Sequence, residues 1–125
     1  MRCRFGVALV VMALAAPTLA DDKPIEVGAT KPGLTRIGAT KCAPCHKEQF
    51  KSWSEGKHAA AKPPLDCESC HGPGSEYKVM ATMKDKEKAK AAGLVMPTKE
   101  FCIKCHTKDW KDEMIEKTHA HKVKK

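Results

Sequence analysis

Six of the seven cysteines in this chain fall in three pairs, each pair separated by two residues and followed at once by histidine. They are Cys42-Ala43-Pro44-Cys45-His46, Cys67-Glu68-Ser69-Cys70-His71 and Cys102-Ile103-Lys104-Cys105-His106. The seventh, Cys3, stands apart near the N-terminus. Two thiols at this spacing can arch across one edge of a porphyrin and add to its two vinyl groups. The histidine after the second thiol then lies under the ring and presents its imidazole to the iron. C-x-x-C-H is accordingly the attachment sequence of c-type haem, and haem iron takes an axial histidine readily. The pattern predicts three covalently attached c-type haems. Cys42, Cys45, Cys67, Cys70, Cys102 and Cys105 would be the thioether anchors, and His46, His71 and His106 the proximal iron ligands.

Other thiol chemistries fit the pattern less well. An all-thiolate zinc site takes two C-x-x-C pairs, so three pairs leave a remainder, and zinc gives no reason for a histidine after every pair. A thiol redox centre usually sits on a βαβ scaffold, and no strand pattern is present to build one. Plain disulfides would suit an exported chain but again leave the histidines without a purpose.

Beyond the three motif histidines, His58, His119 and His121 remain, and three haems need three distal ligands if every iron is six-coordinate. Bis-histidine ligation of all three would give low-spin iron, suited to electron transfer and closed to substrates. His119 and His121 would point about 200° apart on one helix, so they could serve different haems or a haem of a neighbouring molecule. His58 follows His46 by twelve residues and precedes Cys67 by nine, a tether that reaches the first haem or an adjacent one. The pairing of distal to proximal histidines stays open at this level. Methionine is the alternative sixth ligand, available as Met80, Met83, Met96 or Met114, although thioethers more often pack against flat apolar groups.

The elements that must hold these residues are short and helical. Residues 21–40, with Pro24, Gly28, Pro32, Gly33 and Gly38, form an irregular arm. Residues 46–56 suit a short helix with Phe50 and Trp53 on one face and Gly56 as its stop. Pro63-Pro64 interrupts any helix before the second motif. His71-Gly72-Pro73-Gly74 makes a turn, after which Ser75 can cap a helix over 76–92, rich in Ala, Lys, Glu and Met and closed by Gly93. A last helix over 107–123 would carry Trp110, Met114 and His121 on one stripe. No strand is convincing anywhere. The fold class expected is mostly α with extensive loops, a small multihaem cytochrome whose core is its closely packed haems.

Bulk properties agree. Arg2 and Arg4 precede an apolar run over 5–16, and Thr18-Leu19-Ala20 offers a signal-peptidase exit. Residues 1–20 are therefore expected to be a cleaved secretory signal, with residues 41–125 as the triheme domain. The apolar run is shorter than the about 20 residues a membrane span needs, and no later stretch is apolar enough to be one. The remaining chain has two Phe, one Tyr and two Trp, too few for a substantial side-chain core. Removing the two signal arginines from 23 basic residues leaves 21 against 15 acidic, a balance of +6 that six haem propionates would largely offset. The lysines are scattered, without the aromatic-interleaved basic stripe of single-strand binders, so nucleic acid is not an expected partner.

Lys41 through Ala59, K-C-A-P-C-H-K-E-Q-F-K-S-W-S-E-G-K-H-A, resembles the opening of the cytochrome c-554 family of multihaem cytochromes. C-E-S-C-H-G-P-G-S-E-Y is similar to that family's second haem site, and C-I-K-C-H followed by Trp110 and a late histidine to its terminal one. The likeness runs from about Lys41 to His121. It implies closely packed haems wrapped by short helices and loops, His58 as an axial ligand, and electron transfer in the periplasm. Family members often carry four haems, and this chain has three motifs. The expected function is a non-enzymatic periplasmic electron carrier whose partners are other redox proteins. A small haem enzyme with one five-coordinate iron, reducing an inorganic substrate, is the alternative. Self-association into a larger cytochrome assembly, with a distal ligand donated between molecules, is another.

Overall fold

The computed structural model describes residues 31–121. The expected signal peptide at 1–20, residues 21–30 of the arm and the last four residues lie outside the described residues. Within them the chain is a series of short helices joined by loops, with no strand. A 3-10 turn, η1 (Ala39–Lys41), leads into the first motif. α1 (Lys47–Ser54) follows His46, α2 (Lys57–Ala60) carries His58, and α3 (Cys67–His71) is the second motif itself. α4 (Met80–Met83), α5 (Lys86–Ala91), α6 (Lys99–Cys102) and α7 (Met114–Lys117) complete the order.

Each short helix has a local reason for its ends. α1 runs as the periodicity predicts, with the Phe50 and Trp53 rings 5.5 Å apart. It closes at Gly56, whose amide donates to the Trp53 carbonyl at 2.8 Å. The Trp53 indole donates to the Leu65 carbonyl at 2.8 Å and so fastens α1 to the approach of the second motif. α3 opens with a reciprocal cap: Asp66 accepts from the Ser69 amide at 2.9 Å, and the Ser69 hydroxyl accepts from the Asp66 amide at 3.2 Å. Such a box satisfies two donors that a helix start leaves free.

Two long helices expected from composition are shorter than predicted. The stretch 76–92 divides into α4 and α5 because Asp85 takes the amides of Glu87 and Lys88 at 3.1 Å each, capping a new helix where one helix would continue. A short acidic side chain competes with the backbone ladder in this way. Ser75 caps nothing; its hydroxyl accepts from the Thr35 amide at 3.1 Å instead. The end of α5 is as expected. Gly93, at φ 103°, donates to Lys90, and the Leu94 amide reaches back to Ala89, a Schellman closure.

The helix expected over 107–123 is reduced to α7. Asp109 is drawn to the His106 ring and Asp112 to the Trp110 indole. The Thr118 hydroxyl donates to the Ile115 carbonyl at 2.8 Å, where the helix stops.

The arm is stitched to the second motif. Arg36 pairs with Asp66, and Ile37 and Gly38 donate their amides to the Glu68 carboxylate. Side chains fill little of the interior. Tyr77 and Ala89 are the buried hydrophobic residues among those described, with Glu68 and Ser69 the buried polar ones. No helix among the described residues is long and apolar enough to cross a membrane.

Candidate functional site

The middle of the molecule is a cavity of about 1060 Å³. All six histidines expected as iron ligands line it: His46, His58, His71, His106, His119 and His121. Five of the six motif cysteines do so too, Cys42, Cys67, Cys70, Cys102 and Cys105. The sixth, Cys45, lines a second cavity of about 510 Å³ together with Cys42, His46, Tyr77, Met80 and Met83. Phe50, Trp53, Leu65, Leu94, Met96, Phe101, Trp110 and Met114 supply apolar wall to the larger space. Trp110, Met114 and His121 thus reach the same space as expected, although a turn and α7 carry them there instead of one continuous helix.

Four of the histidines form two close pairs with tilted rings. The rings of His58 and His106 are 6.1 Å apart between centroids, and those of His71 and His119 are 5.9 Å apart. His119 and His121 stack at 4.5 Å. Among the described residues no three His, Cys, Asp or Glu side chains gather about one point as they would around a single bare ion. All six described cysteines are free thiols. Paired imidazoles, free thiols and largely apolar walls could hold a large flat apolar group with a metal at its centre.

Which ring nitrogen faces the cavity is set by the bond the other one makes. His71 Nδ1 is 2.9 Å from the Val95 carbonyl, and the Val95 amide in turn donates to the His71 carbonyl, so Val95 clamps the residue from both sides. His119 Nδ1 is 3.1 Å from the Ala120 carbonyl. His106 Nδ1 is 3.3 Å from the Asp109 carboxylate. A metal-binding histidine usually donates its other ring N–H to a carbonyl or carboxylate in this manner, leaving Nε2 for the metal. His121 is the other way about: its Nε2 is 2.7 Å from the Ile115 carbonyl. The Ala120 amide donates to the Ser52 hydroxyl at 2.7 Å and draws the C-terminal histidines against α1.

Burial holds the His58 and His71 imidazoles below the ordinary histidine range, with the neighbouring His106 adding to the effect at His58 and the Val95 carbonyl opposing it at His71. Burial thus favours the neutral form of both, the form in which imidazole binds a metal. Burial pushes the Cys70 thiol up to about 11. Cys42 and Cys67, from different motifs, share a hydrogen bond that holds the first thiol down and the second up. The second motif is the innermost of the three. Cys45 and Cys105 are exposed, whereas Glu68 and Ser69 between the second pair of thiols are buried.

Glu68 is the functional residue that sequence reasoning missed. Its carboxylate accepts Ile37 N at 2.9 Å, Gly38 N at 2.8 Å and Gly74 N at 2.8 Å. As one of the two spacer residues of its motif it carries no signal of this role; the arm that donates to it is distant in sequence. Val95 and Asp109, which orient motif histidines, were equally silent. Compared with protein-family models, curated proteins and solved structures, the chain matches none.

Proposed function

We propose that this chain is an exported, periplasmic triheme c-type cytochrome that carries electrons between other redox proteins. The observation that carries the reading is the lining of the central cavity. Every histidine of residues 31–121 and five of the six motif thiols border one space whose walls are otherwise largely apolar. Three C-x-x-C-H motifs would supply attachment, and the paired imidazoles would supply iron ligands. The resemblance of Lys41 to His121 to the cytochrome c-554 family points the same way.

Bound haem supplies one-electron redox chemistry at iron. The chain's own part is to hold, orient and insulate. Cys42 and Cys45, Cys67 and Cys70, and Cys102 and Cys105 would anchor the three groups. His46, His71 and His106 would be their proximal ligands. Val95 and Asp109 hold Nδ1 of His71 and His106, which would leave Nε2 for a metal. Phe50, Trp53 and Trp110 would pack their rings against the bound groups. With Cys45 and Cys105 at the surface, groups held by the first and third motifs would be the ones accessible for electron entry and exit, and a group held by the second, seated on Glu68, would be the inner one.

Mass spectrometry of protein matured in a host with a c-type haem attachment system is expected to show three haem additions per chain. A chain that leaves that host with no haem, its thiols still alkylatable, would overturn the reading.

A further inference from the structure

This inference rests on the haem reading and assigns the ligands within it. We infer that the three irons are not equivalent: His58 pairs with His106 of the third motif, His119 pairs with His71 of the second, and the first motif's His46 faces a methionine sulfur of α4, Met80 or Met83, instead of a third distal histidine.

Two imidazoles bound to one metal from opposite sides, each with a metal–nitrogen bond of about 2.0–2.1 Å, place their ring centroids roughly 6 Å apart. The two pairs stand at 6.1 and 5.9 Å, with their ring planes tilted by 55° and 48°. Each therefore has the span that a shared six-coordinate iron requires. Three of these four rings also have Nδ1 on an oxygen acceptor, which leaves Nε2 for the metal. Each pair joins a motif histidine to one outside any motif, which is the composition a bis-histidine haem needs.

His121 has neither property. Its Nε2 is spent on the Ile115 carbonyl, and its ring stacks on the outer pair member His119 at 4.5 Å without facing a motif histidine. That stack suits a residue supporting a ligand. His46, meanwhile, has no ring partner among the described residues. It opens onto the second cavity, where the ring of Tyr77 and the thioethers of Met80 and Met83 share the lining with Cys42 and Cys45. Met80 is 54 % exposed and lines that cavity. Thioether is a natural sixth ligand of c-type haem and raises the potential relative to a second imidazole. The first haem would then be the most oxidising of the three.

Proton NMR of the fully reduced triheme protein tests the assignment, because reduced low-spin haems are diamagnetic and shift the protons of their axial ligands strongly upfield. Mass spectrometry on the same sample confirms three haems first, so loss of the haem reading and loss of this assignment are separate results. The expected spectrum has one strongly upfield three-proton methyl signal, absent in either Met80→Ala or Met83→Ala and retained in His121→Ala. Ring protons of His58 should show through-space contacts to the haem whose thioether protons belong to Cys102 and Cys105. Those of His119 should contact the haem on Cys67 and Cys70. Ring protons of His121 shifted as a ligand's, with no upfield methyl signal, would overturn the assignment. So would binding of carbon monoxide by one haem of the unmodified protein, which would mean an open iron at His46 and would favour the enzyme reading.

Discussion

At Glu68 a carboxylate with 2 % of its surface exposed sits between the two thiols of the second motif and accepts three backbone amides from two separate loops. Hydrogen bonds to an ionised acceptor are worth about 1.5–3 kcal/mol each where the alternative is a buried, unsatisfied group. Oε1 takes Ile37 and Gly74, and Oε2 takes Gly38. Glu68→Gln keeps the shape but turns one of these oxygens into a donor, so one amide must face an N–H₂. The holoprotein is expected to lose about 2–3 kcal/mol in denaturant unfolding. Amide exchange in residues 35–38 should accelerate with it, and unchanged protection there would show that the arm is held by something else. Nearby Asp66 gives a pH dependence. Its burial favours the neutral form, but the bonds from Arg36 and Ser69 outweigh that and hold its carboxyl below the ordinary value of 3.8. A carboxyl depressed in the folded state stabilises above its unfolded pKa and loses that contribution as pH falls through the folded one. Unfolding midpoints should therefore drop as the pH falls below about 4. Asp66→Asn should flatten that part of the curve.

The helices show what local pattern can and cannot give. α1 was legible because Phe50, Trp53 and Gly56 are punctuated within one short window. The end of α5 was legible because Gly93 adopts a positive φ that favours glycine. The division at Asp85 was not, because propensity summed over 76–92 favours one helix and a single side chain decides otherwise. The same holds for Asp109, Asp112 and Thr118 in the C-terminal segment. Gly72 and Gly93 separate two kinds of backbone demand. Gly72, at φ 78° and ψ 164°, occupies a region that is nearly exclusive to glycine. An added Cβ there would come within 2.9 Å of the Gly93 carbonyl oxygen, which is backbone and cannot step aside. At Gly93 the obstruction is the Leu34 side-chain tip, which can turn away. Both alanine substitutions should destabilise by about 1–3 kcal/mol, with Gly72→Ala the costlier. Since Gly72 directly follows His71, Gly72→Ala should, if the second motif binds haem as proposed, also perturb that haem's spectrum while Gly93→Ala leaves it unchanged. Equal costs and equal spectra in the two variants would refute the distinction.

Across the whole molecule, the three C-x-x-C-H motifs are read directly from the sequence, whereas the way the fold brings the histidines together is not, and the reason is physical. Each C-x-x-C-H is a five-residue statement, whereas a close pair such as His71 and His119 depends on the Ser52 contact with Ala120 and the Val95 clamp, neither of which local spacing encodes. The poor core was legible from composition, and its consequence is a chain with little side-chain packing of its own. Among the described residues the buried hydrophobic side chains are Tyr77 and Ala89, while the aromatic residues Phe50, Trp53, Phe101 and Trp110 border open space. Small domains bury a limited fraction of their surface and lean on cofactors or cross-links when their own side chains fall short. If haem forms the interior, burial of these aromatic faces happens only on its attachment. A variant with all six motif cysteines changed to alanine should then give a poorly dispersed amide NMR spectrum and unfold without a cooperative heat-absorption peak. The matured triheme protein should show wide dispersion and a sharp transition. A cysteine-free chain that is well dispersed and melts cooperatively would mean that some other packing closes the cavity, and the argument for a haem-built core would fail with it.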